Sequence, residues 1–283
     1  MSLKIVFCGS PNFACLSLNA LTKLPINKII SVITQPDKRR KRGNIIQPTP
    51  VKALASQLQL KTYTPPSKEA FKTLIHELKP DIIIVIAYAM IIPKEITDTY
   101  YCINAHTSLL PKYRGASPIQ AALLNQDKET GICLIHMNEK LDEGNIITIK
   151  KTPILPTDTY GNLHDKLAPL AATMIHNIVQ SFQSDPNIKS TPQKHYLATY
   201  CSKIKTNDCL LNKIDPITTS LSKIKAYSPK PGAFIQINNK HIKILDAKIE
   251  SDKLIPLIVQ PEGKKTMSYT DYLLGNKEKI ILC

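Results

Sequence analysis

The sequence predicts an α/β protein with a Rossmann-like, mostly parallel, doubly wound sheet, followed by a small C-terminal β-barrel of reduced, OB-like form. The chain opens with a strand at residues 4–8, a turn at Gly9, a helix and a second strand at 29–34, which is a β-turn-α-β start. Ile82–Ile86 is an unbroken apolar, β-branched run, as expected of a central strand covered on both faces. Short strands with a basic bias near the C-terminus favour a small β module.

The remaining elements follow from hydrophobic spacing and from capping residues. Asn12 can cap the first helix, and Ser67 can cap another. In the first part, helices are predicted from residue 12 and at 52–58, 68–79, 118–125 and 159–183, and further strands at 61–64, 102–106, 130–137 and 146–154. In the last part, a helix at 214–227 precedes strands at 233–237, 241–245 and 257–259. We therefore predict a catalytic domain at 1–185, a polar linker at 186–203 and a second domain at 204–283.

The composition indicates a globular protein with a polyanionic partner. The 283 residues are 43% hydrophobic and carry a net charge of +15, with a pI of about 9.4. Nucleic acid is favoured over a membrane, because the longest apolar run, at 82–92, is too short to span a bilayer. Seven scattered cysteines without CxxC spacing predict reduced thiols in the cytoplasm, and neither a disulfide set nor a metal site.

A basic segment follows the second strand. It consists of five consecutive cations, Lys38, Arg39, Arg40, Lys41 and Arg42, between Pro36 and Pro48. Like charges repel one another, so we expect a mobile loop that contacts phosphates. Charge runs of this kind are more often simply solvated surface.

Only Gly9 stands in the first turn, which does not support a dinucleotide site of the GxGxxG type.

Asn104, His106 and Asp142 are candidates for acyl-transfer chemistry. Alternate residues of a strand share a face, so Asn104 and His106 point the same way. An amine that attacks a carbonyl generates an oxyanion, which needs hydrogen-bond donors, and releases a proton, which needs a base. A carboxylate such as Asp142 could orient the imidazole. From spacing alone, an Asn and a His at a strand end are more often capping residues, and Asp142 reads as an ordinary turn residue. His136 and His164 are eligible by residue type but are interpreted as structural or surface histidines.

The surrounding motifs resemble the 10-formyltetrahydrofolate-dependent formyltransferase superfamily. These motifs are Asn104-Ala105-His106, then Ser108-Leu109-Leu110-Pro111 with Tyr113-Arg114-Gly115, and Leu141-Asp142 with Gly144. Further stretches resemble the methionyl-tRNA formyltransferase branch, namely residues 7–14, 35–37 with the basic segment, 114–120 and 260–267. The resemblance covers nearly the whole chain in order.

The resemblance implies formyl transfer from 10-formyltetrahydrofolate to the methionine amine of initiator methionyl-tRNA, without a metal. Asn104 and His106 match residues that hold the formyl oxygen, and Asp142 matches the carboxylate that orients the histidine. The folate site would be formed by Ser108, Leu109, Leu110, Pro111 and Tyr88. The tRNA acceptor end would meet residues 38–42, and the C-terminal domain would hold the acceptor arm. A cytoplasmic monomer without membrane contact is expected.

Other formyltransferases remain alternatives. Glycinamide ribonucleotide transformylases share the NxHxSLLP pattern but lack the continuation at 114–118 and the basic second domain. Sugar-nucleotide N-formyltransferases act on a small acceptor and would not need the basic segment. A non-enzymatic RNA-binding protein would be expected to have lost Asn104, His106 or Asp142. One departure concerns the barrel: residues 250–258 replace a longer Gly-rich strand pair, so a reduced or open barrel is expected.

Overall fold

The computed structural model describes residues 2–24, 28–40, 45–212, 214–237, 239–276 and 280. They form two compact units, the first comprising Met1–Arg114, Gly131–Lys151 and Asp165–Thr199. The second comprises Gly115–Thr130, Thr152–His164 and Tyr200–Cys283. The predicted domain boundaries remain a prediction, although the segment predicted as a linker is packed into the first unit as far as Thr199.

A seven-stranded sheet forms the centre of the first unit. Its strands are β1 (Lys4–Gly9), β2 (Lys28–Ile33), β5 (Thr62–Tyr63), β6 (Ile82–Ile86), β7 (Tyr101–His106), β9 (Glu129–His136) and β10 (Ile146–Pro153). The order is β10-β9-β7-β6-β1-β2-β5. The five strands from β7 to β5 run parallel, and β9 runs antiparallel to β7. The mostly parallel sheet is thus confirmed, with β6 in the middle and β10 at an edge as predicted.

Helices alternate with these strands along the chain, and all but the one at Lys94–Thr99, which the spacing did not predict, lie close to their predicted positions. They are α1 (Asn12–Thr22), α2 (Pro50–Gln57), α3 (Lys68–Leu78), α4 (Lys94–Thr99), α5 (Pro118–Leu124) and α6 (Tyr160–Ser184). Val6, Ile83 and Phe71 share one core cluster, so α3 packs on one face of the sheet. Ile84, which alternates with Ile83, is equally inaccessible to solvent. The central strands are therefore buried on both faces, which explains their continuous apolar sequence.

Two local predictions need correction. Asn12 does not cap α1, because the capping position is Pro11 and no side chain caps that end. Ser67 does cap α3, since its hydroxyl accepts a hydrogen bond from the Ala70 amide. The basic segment is not a loop throughout, because β3 (Lys38–Arg40) pairs antiparallel with β4 (Ile45–Gln47). Backbone pairing with an apolar partner strand therefore outweighs the repulsion between neighbouring charges over these three residues.

The second unit contains an open antiparallel sheet. Its strands are β12 (Ala233–Ile237), β13 (Lys240–Glu250), β14 (Lys253–Pro261) and β15 (Met267–Ser268), in sequential order. Helix α7 (Ile217–Tyr227) packs on α5 and β13, and α8 (Tyr269–Leu274) follows the sheet. Two short strands, β8 (Arg114–Gly115) and β11 (Tyr200–Cys201), pair separately. Within the described residues β12 and β15 do not pair, so the module has the reduced, open form expected.

No helix in the described part of the chain is long and apolar enough to cross a membrane.

Candidate active site

The candidate site lies where β7 ends in the first unit. Asn104 pairs with Val85 of β6 and with Ile135 of β9, so the strand is held on both sides. Asn104 is half-buried and His106 is 6% exposed. Both side chains contact Asp142, which shows that they point the same way, as the alternation of a strand predicts. Their position at the carboxyl end of a parallel strand is the usual ligand-binding edge of such a sheet.

Asp142 completes the cluster from a turn beyond β9. Its Oδ1 accepts a hydrogen bond of 3.2 Å from Asn104 Nδ2, and its Oδ2 lies 3.6 Å from His106 Nδ1. The Asp142 side chain is only 10% exposed. The structure therefore brings together the three residues that the sequence singled out. Their chemical roles remain a prediction.

A backbone carbonyl determines which nitrogen of His106 carries a proton. His106 Nε2 lies 2.9 Å from the carbonyl oxygen of Tyr113. A carbonyl only accepts, so Nε2 must be protonated and must donate this hydrogen bond. Nδ1 is then the nitrogen that faces Asp142. The sequence contains no signal for this contact, because a main-chain oxygen has no residue type to recognise.

The turn that carries Asp142 has a demanding backbone. Asp142 has a φ of 53°, in the left-handed region. Gly144 follows it, and a Cβ at that position would overlap the carbonyl oxygen of His136. Glycine is therefore required there for lack of space.

Half-burial lowers the pKa of His136 from its ordinary value, so the imidazole is neutral more readily than in water.

The predicted folate segment, residues 108–111, adjoins the cluster directly. Ser108 and Leu110 are buried, and the Ser108 hydroxyl donates to the Lys112 carbonyl at 2.6 Å. The amide of Leu110 donates to Cys133 Sγ at 3.3 Å, and burial raises the pKa of that thiol to about 12. Leu109 and Pro111 are half-buried. Ser108 and Leu110 thus shape the segment, whereas Leu109 and Pro111 keep surface that a ligand could cover.

Tyr88 lies in the core beside this edge of the sheet. It is 8% exposed, packs against Phe71 with ring centroids 6.1 Å apart, and belongs to the cluster that includes Val85. Its buried hydroxyl has no hydrogen-bond partner among the described residues, and burial raises its pKa. The structure shows Tyr88 mainly as a core residue, and its predicted contact with folate remains a prediction.

The predicted tRNA-binding residues are only partly described. Lys38 begins β3, and the backbone of Arg39 and Arg40 completes this strand. Lys41 and Arg42 lie outside the described residues. Lys38 is exposed, in agreement with a role at the surface.

Three residues that the sequence analysis did not assign surround the Asp142 turn. Arg114 is the largest fully buried side chain, and its Nη1 lies 3.1 Å from Glu143 Oε1. Arg114 Nε and Nη2 donate to Gln193 Oε1 at 3.1 and 2.8 Å. Gln193 is 5% exposed although it lies in the predicted polar linker. No local pattern predicts this, since Arg114 and Gln193 are 79 positions apart.

Among the described residues, no cluster of three or more His, Cys, Asp or Glu side chains could hold a metal ion.

Comparisons with known proteins agree with this fold and define the chain as a formyl-transferring enzyme. The family model described as formyl transferase matches residues 3–179, and that of the formyl transferase C-terminal domain matches residues 203–256. The chain belongs to the methionyl-tRNA formyltransferase family. It is 33% identical to the methionyl-tRNA formyltransferase of Syntrophus aciditrophicus over 97% of this chain and 96% of that one. With the enzyme of Orientia tsutsugamushi it shares 35% identity over 96% and 97%.

Solved structures support the fold. A methionyl-tRNA formyltransferase from Clostridium thermocellum is similar with a TM-score of 0.60 at 17% identity, covering 92% of this chain and 98% of that one. An N-formyltransferase from Helicobacter canadensis, solved with folinic acid and dTDP-3-aminofucose, gives a TM-score of 0.67 at 20% identity, covering 94% and 98%.

Proposed function

We propose that this enzyme transfers the formyl group of 10-formyltetrahydrofolate to the free amino group of initiator methionyl-tRNA, giving N-formylmethionyl-tRNA for translation initiation. The observation that carries the proposal is the contact of Asn104 and His106 with Asp142 at the carboxyl end of β7. The acceptor follows from membership of the family, whose curated relatives are named for methionyl-tRNA.

Asn104 and His106 would stabilise the negative charge that develops on the formyl oxygen. The Asn104 amide has two hydrogens, and its hydrogen bond to Asp142 uses one of them. The second can donate to the formyl oxygen. His106 Nδ1, when protonated, can donate to the same oxygen or to Asp142. Donors held in place before the reaction, in a site with little water, stabilise such charge strongly.

Asp142 would manage the proton that the reaction releases. The amine nitrogen forms a bond to the formyl carbon, the bond from that carbon to N10 of the folate breaks, and one proton passes from the amine to N10. Asp142 Oδ2 and His106 Nδ1 are 3.6 Å apart, which is longer than a hydrogen bond, so the two groups would have to approach by several tenths of an ångström before a proton passes between them. The Tyr113 carbonyl keeps Nε2 out of this exchange.

The folate would lie against residues 108–111, as proposed from the sequence resemblance. The half-buried side chains of Leu109 and Pro111 supply apolar contact for a flat pterin ring. Tyr88 offers an unpartnered hydroxyl nearby in sequence to the end of β6. Three of the similar structures were solved with a folate compound, namely tetrahydrofolic acid, 5-N-formyl-THF and folinic acid, which supports a folate-type donor.

The tRNA would be attracted by the net charge of +15 and would meet Lys38, Arg39, Arg40, Lys41 and Arg42 near its acceptor end. The basic C-terminal unit would hold the acceptor arm. We further propose that the enzyme acts as a monomer in the cytoplasm.

A choice among three acceptors tests the proposed function. The protein is incubated with 10-formyltetrahydrofolate and, separately, with methionyl-tRNA, glycinamide ribonucleotide and a dTDP-aminosugar. We expect formylation of the tRNA alone. Formylation of either small acceptor in preference to the tRNA would overturn the assignment and favour another member of the superfamily.

Substitution of the site residues tests the mechanism. Asn104→Ala and Asp142→Ala are each expected to lower turnover on the order of a hundredfold or more, because each removes an oxyanion donor or the proton relay. The control is Asp98→Ala on α4, which removes an exposed carboxylate and its surface ion pair with Lys94. Near-normal turnover in Asn104→Ala or Asp142→Ala would remove that residue from the mechanism.

A further inference from the structure

The side chain of Gln193 forms hydrogen bonds to the backbone on both sides of the Asp142 turn. Its Nε2 donates to the carbonyl oxygen of Asp142 at 2.8 Å and to that of Gly144 at 2.7 Å. One side-chain amide therefore holds the backbone on both sides of Glu143. Gln193 is buried and comes from a segment about fifty residues further along the chain, so the geometry of the turn depends on a distant part of the first unit.

The turn needs such support because its backbone conformation is unfavourable in isolation. Asp142 has a φ of 53°, which L-residues with a Cβ adopt only infrequently. The backbone conformation at Asp142 sets the direction in which its side chain leaves the turn. A change of backbone conformation would carry Oδ1 and Oδ2 away from Asn104 and His106, which are 3.2 and 3.6 Å from them.

Arg114 fixes the orientation of the Gln193 amide. A guanidinium only donates hydrogen bonds, so the atom of Gln193 that faces Nε and Nη2 of Arg114 must be the oxygen. The amide nitrogen must then face the two carbonyls. Glu143 compensates the buried charge of Arg114 at 3.1 Å, and His195 Nδ1 accepts from Arg114 Nη2 at 3.0 Å. Glu143 and His195 therefore hold Arg114 in place, and Arg114 holds the amide of Gln193.

We propose that Gln193 and Arg114 are positioning residues for the transfer step: they hold the Asp142 turn so that its carboxylate meets Asn104 and His106. This inference rests on the proposed function. Neither residue contacts the reacting groups in this arrangement; they act through the backbone of residues 142–144. Their loss therefore reduces the rate of transfer and leaves the binding of folate and tRNA in place.

Gln193→Glu tests the proposal with a change of one atom. The variant keeps an oxygen for Arg114 but presents a second oxygen, which cannot donate, to the carbonyls of Asp142 and Gly144. We expect kcat to fall about tenfold or more, with KM for the folate and for the acceptor changed by less than about twofold. Wild-type kcat in Gln193→Glu would overturn the proposal. A rise in either KM with unchanged kcat would overturn it as well, in favour of a binding role.

Two controls separate positioning from general destabilisation and from the added charge. Val179→Ala removes buried volume from α6 in the same unit, and Gln180→Glu introduces the same charge at an exposed position of that helix. Both are expected to retain the wild-type kcat per folded molecule. If Val179→Ala lowers kcat as much as Gln193→Glu does at equal loss of thermal stability, Gln193 is merely structural.

A readout without any acceptor keeps this test separate from that of the proposed function. The ring nitrogen NMR signals of His106, assigned with His106→Gln, report its contact with Asp142. We expect these signals to change in Gln193→Glu and to stay in place in Val179→Ala and Gln180→Glu. Unchanged His106 signals in Gln193→Glu would overturn the positioning role, whichever acceptor the enzyme uses.

Discussion

At the scale of single residues, the surroundings of a side chain decide its chemistry more than its type does. His106 and His136 lie on neighbouring strands, yet only His106 faces a carboxylate, and only its Nε2 meets the Tyr113 carbonyl. His136 stacks on Tyr101 with ring centroids 4.5 Å apart and is held neutral by burial. A proton relay requires a ring with one fixed and one free nitrogen, and the Tyr113 carbonyl provides this for His106.

Gly144→Ala is the sharpest test of the space around the turn. The added Cβ would overlap the His136 carbonyl oxygen, which is backbone and cannot move aside easily. We expect a loss of about 1–3 kcal/mol in unfolding free energy, as for other overpacked sites, together with a marked loss of turnover. Urea unfolding and a turnover assay measure the two effects.

Gly275→Ala is the matched control for this substitution, since a Cβ there meets nothing within 4 Å. Its effect on stability is expected to stay within about 0.5 kcal/mol. Equal behaviour of the two variants would show that the close approach at Gly144 does not constrain the turn.

The residues of the cluster were predictable, and those that hold it were not. Asn104 and His106 share a strand face by alternation, and the resemblance to known formyltransferases supplied Asp142. The contact between Gln193 and the turn joins a side chain to main-chain oxygens 51 and 49 positions away. Main-chain partners have no residue type, and a glutamine between proline and lysine suggests solvent rather than burial.

At the scale of elements, continuous apolar strands were predicted reliably because burial on both faces leaves no other composition. One failure lies at β3, where the charges of Lys38–Arg40 suggested a loop. Pairing with Ile45–Gln47 satisfies the backbone of both segments. A short hairpin depends on such pairing between strands, and the charge pattern of one strand does not contain that information.

The burial of His136, at the end of β9, predicts a pH dependence of stability. Burial lowers its pKa in the folded state, so between the lowered value and about 6.5 the unfolded chain binds more protons than the folded one. Neutral His136 therefore contributes fully to the free energy of unfolding above about pH 6.5. The free energy of unfolding declines as the pH falls below that value. His136→Phe keeps a ring against Tyr101 and abolishes the titration.

Thermal unfolding of the wild type and His136→Phe at pH 7.5 and 5.5 measures this contribution. We expect the wild type to lose more stability than the variant as the pH falls. A constant difference between the two proteins at both pH values would contradict a lowered pKa.

At the scale of the whole molecule, the exposed cations at the two ends of the parallel strands can be compared with each other. Strands β1 and β2 begin at one end of the sheet, and Lys38–Arg40, the described part of the basic segment, follows the carboxyl end of β2 at the other. The end where the strands begin has its own exposed cations at or just before strand starts, namely Lys4, Lys23, Lys28, Lys61 and Lys79. General electrostatic attraction by the net charge of +15 would make both sets equally important.

Neutralising residues 38–42 is therefore expected to affect tRNA more than neutralising the five lysines at the opposite end, although both variants lose five positive charges. Each phosphate contact contributes about 0.7–0.9 to the slope of log affinity against log salt concentration, so loss of five contacts would flatten that slope by up to about 4.5. The affinity for folate is expected to stay unchanged in both variants. Titration of methionyl-tRNA binding between low and physiological salt measures the slopes. Equal slopes in the two variants would mean that tRNA binding responds to the total charge of the protein and not to this segment. Charges further than a Debye length of about 8–10 Å from a phosphate are screened, so the position of a charge matters only where the contact is direct.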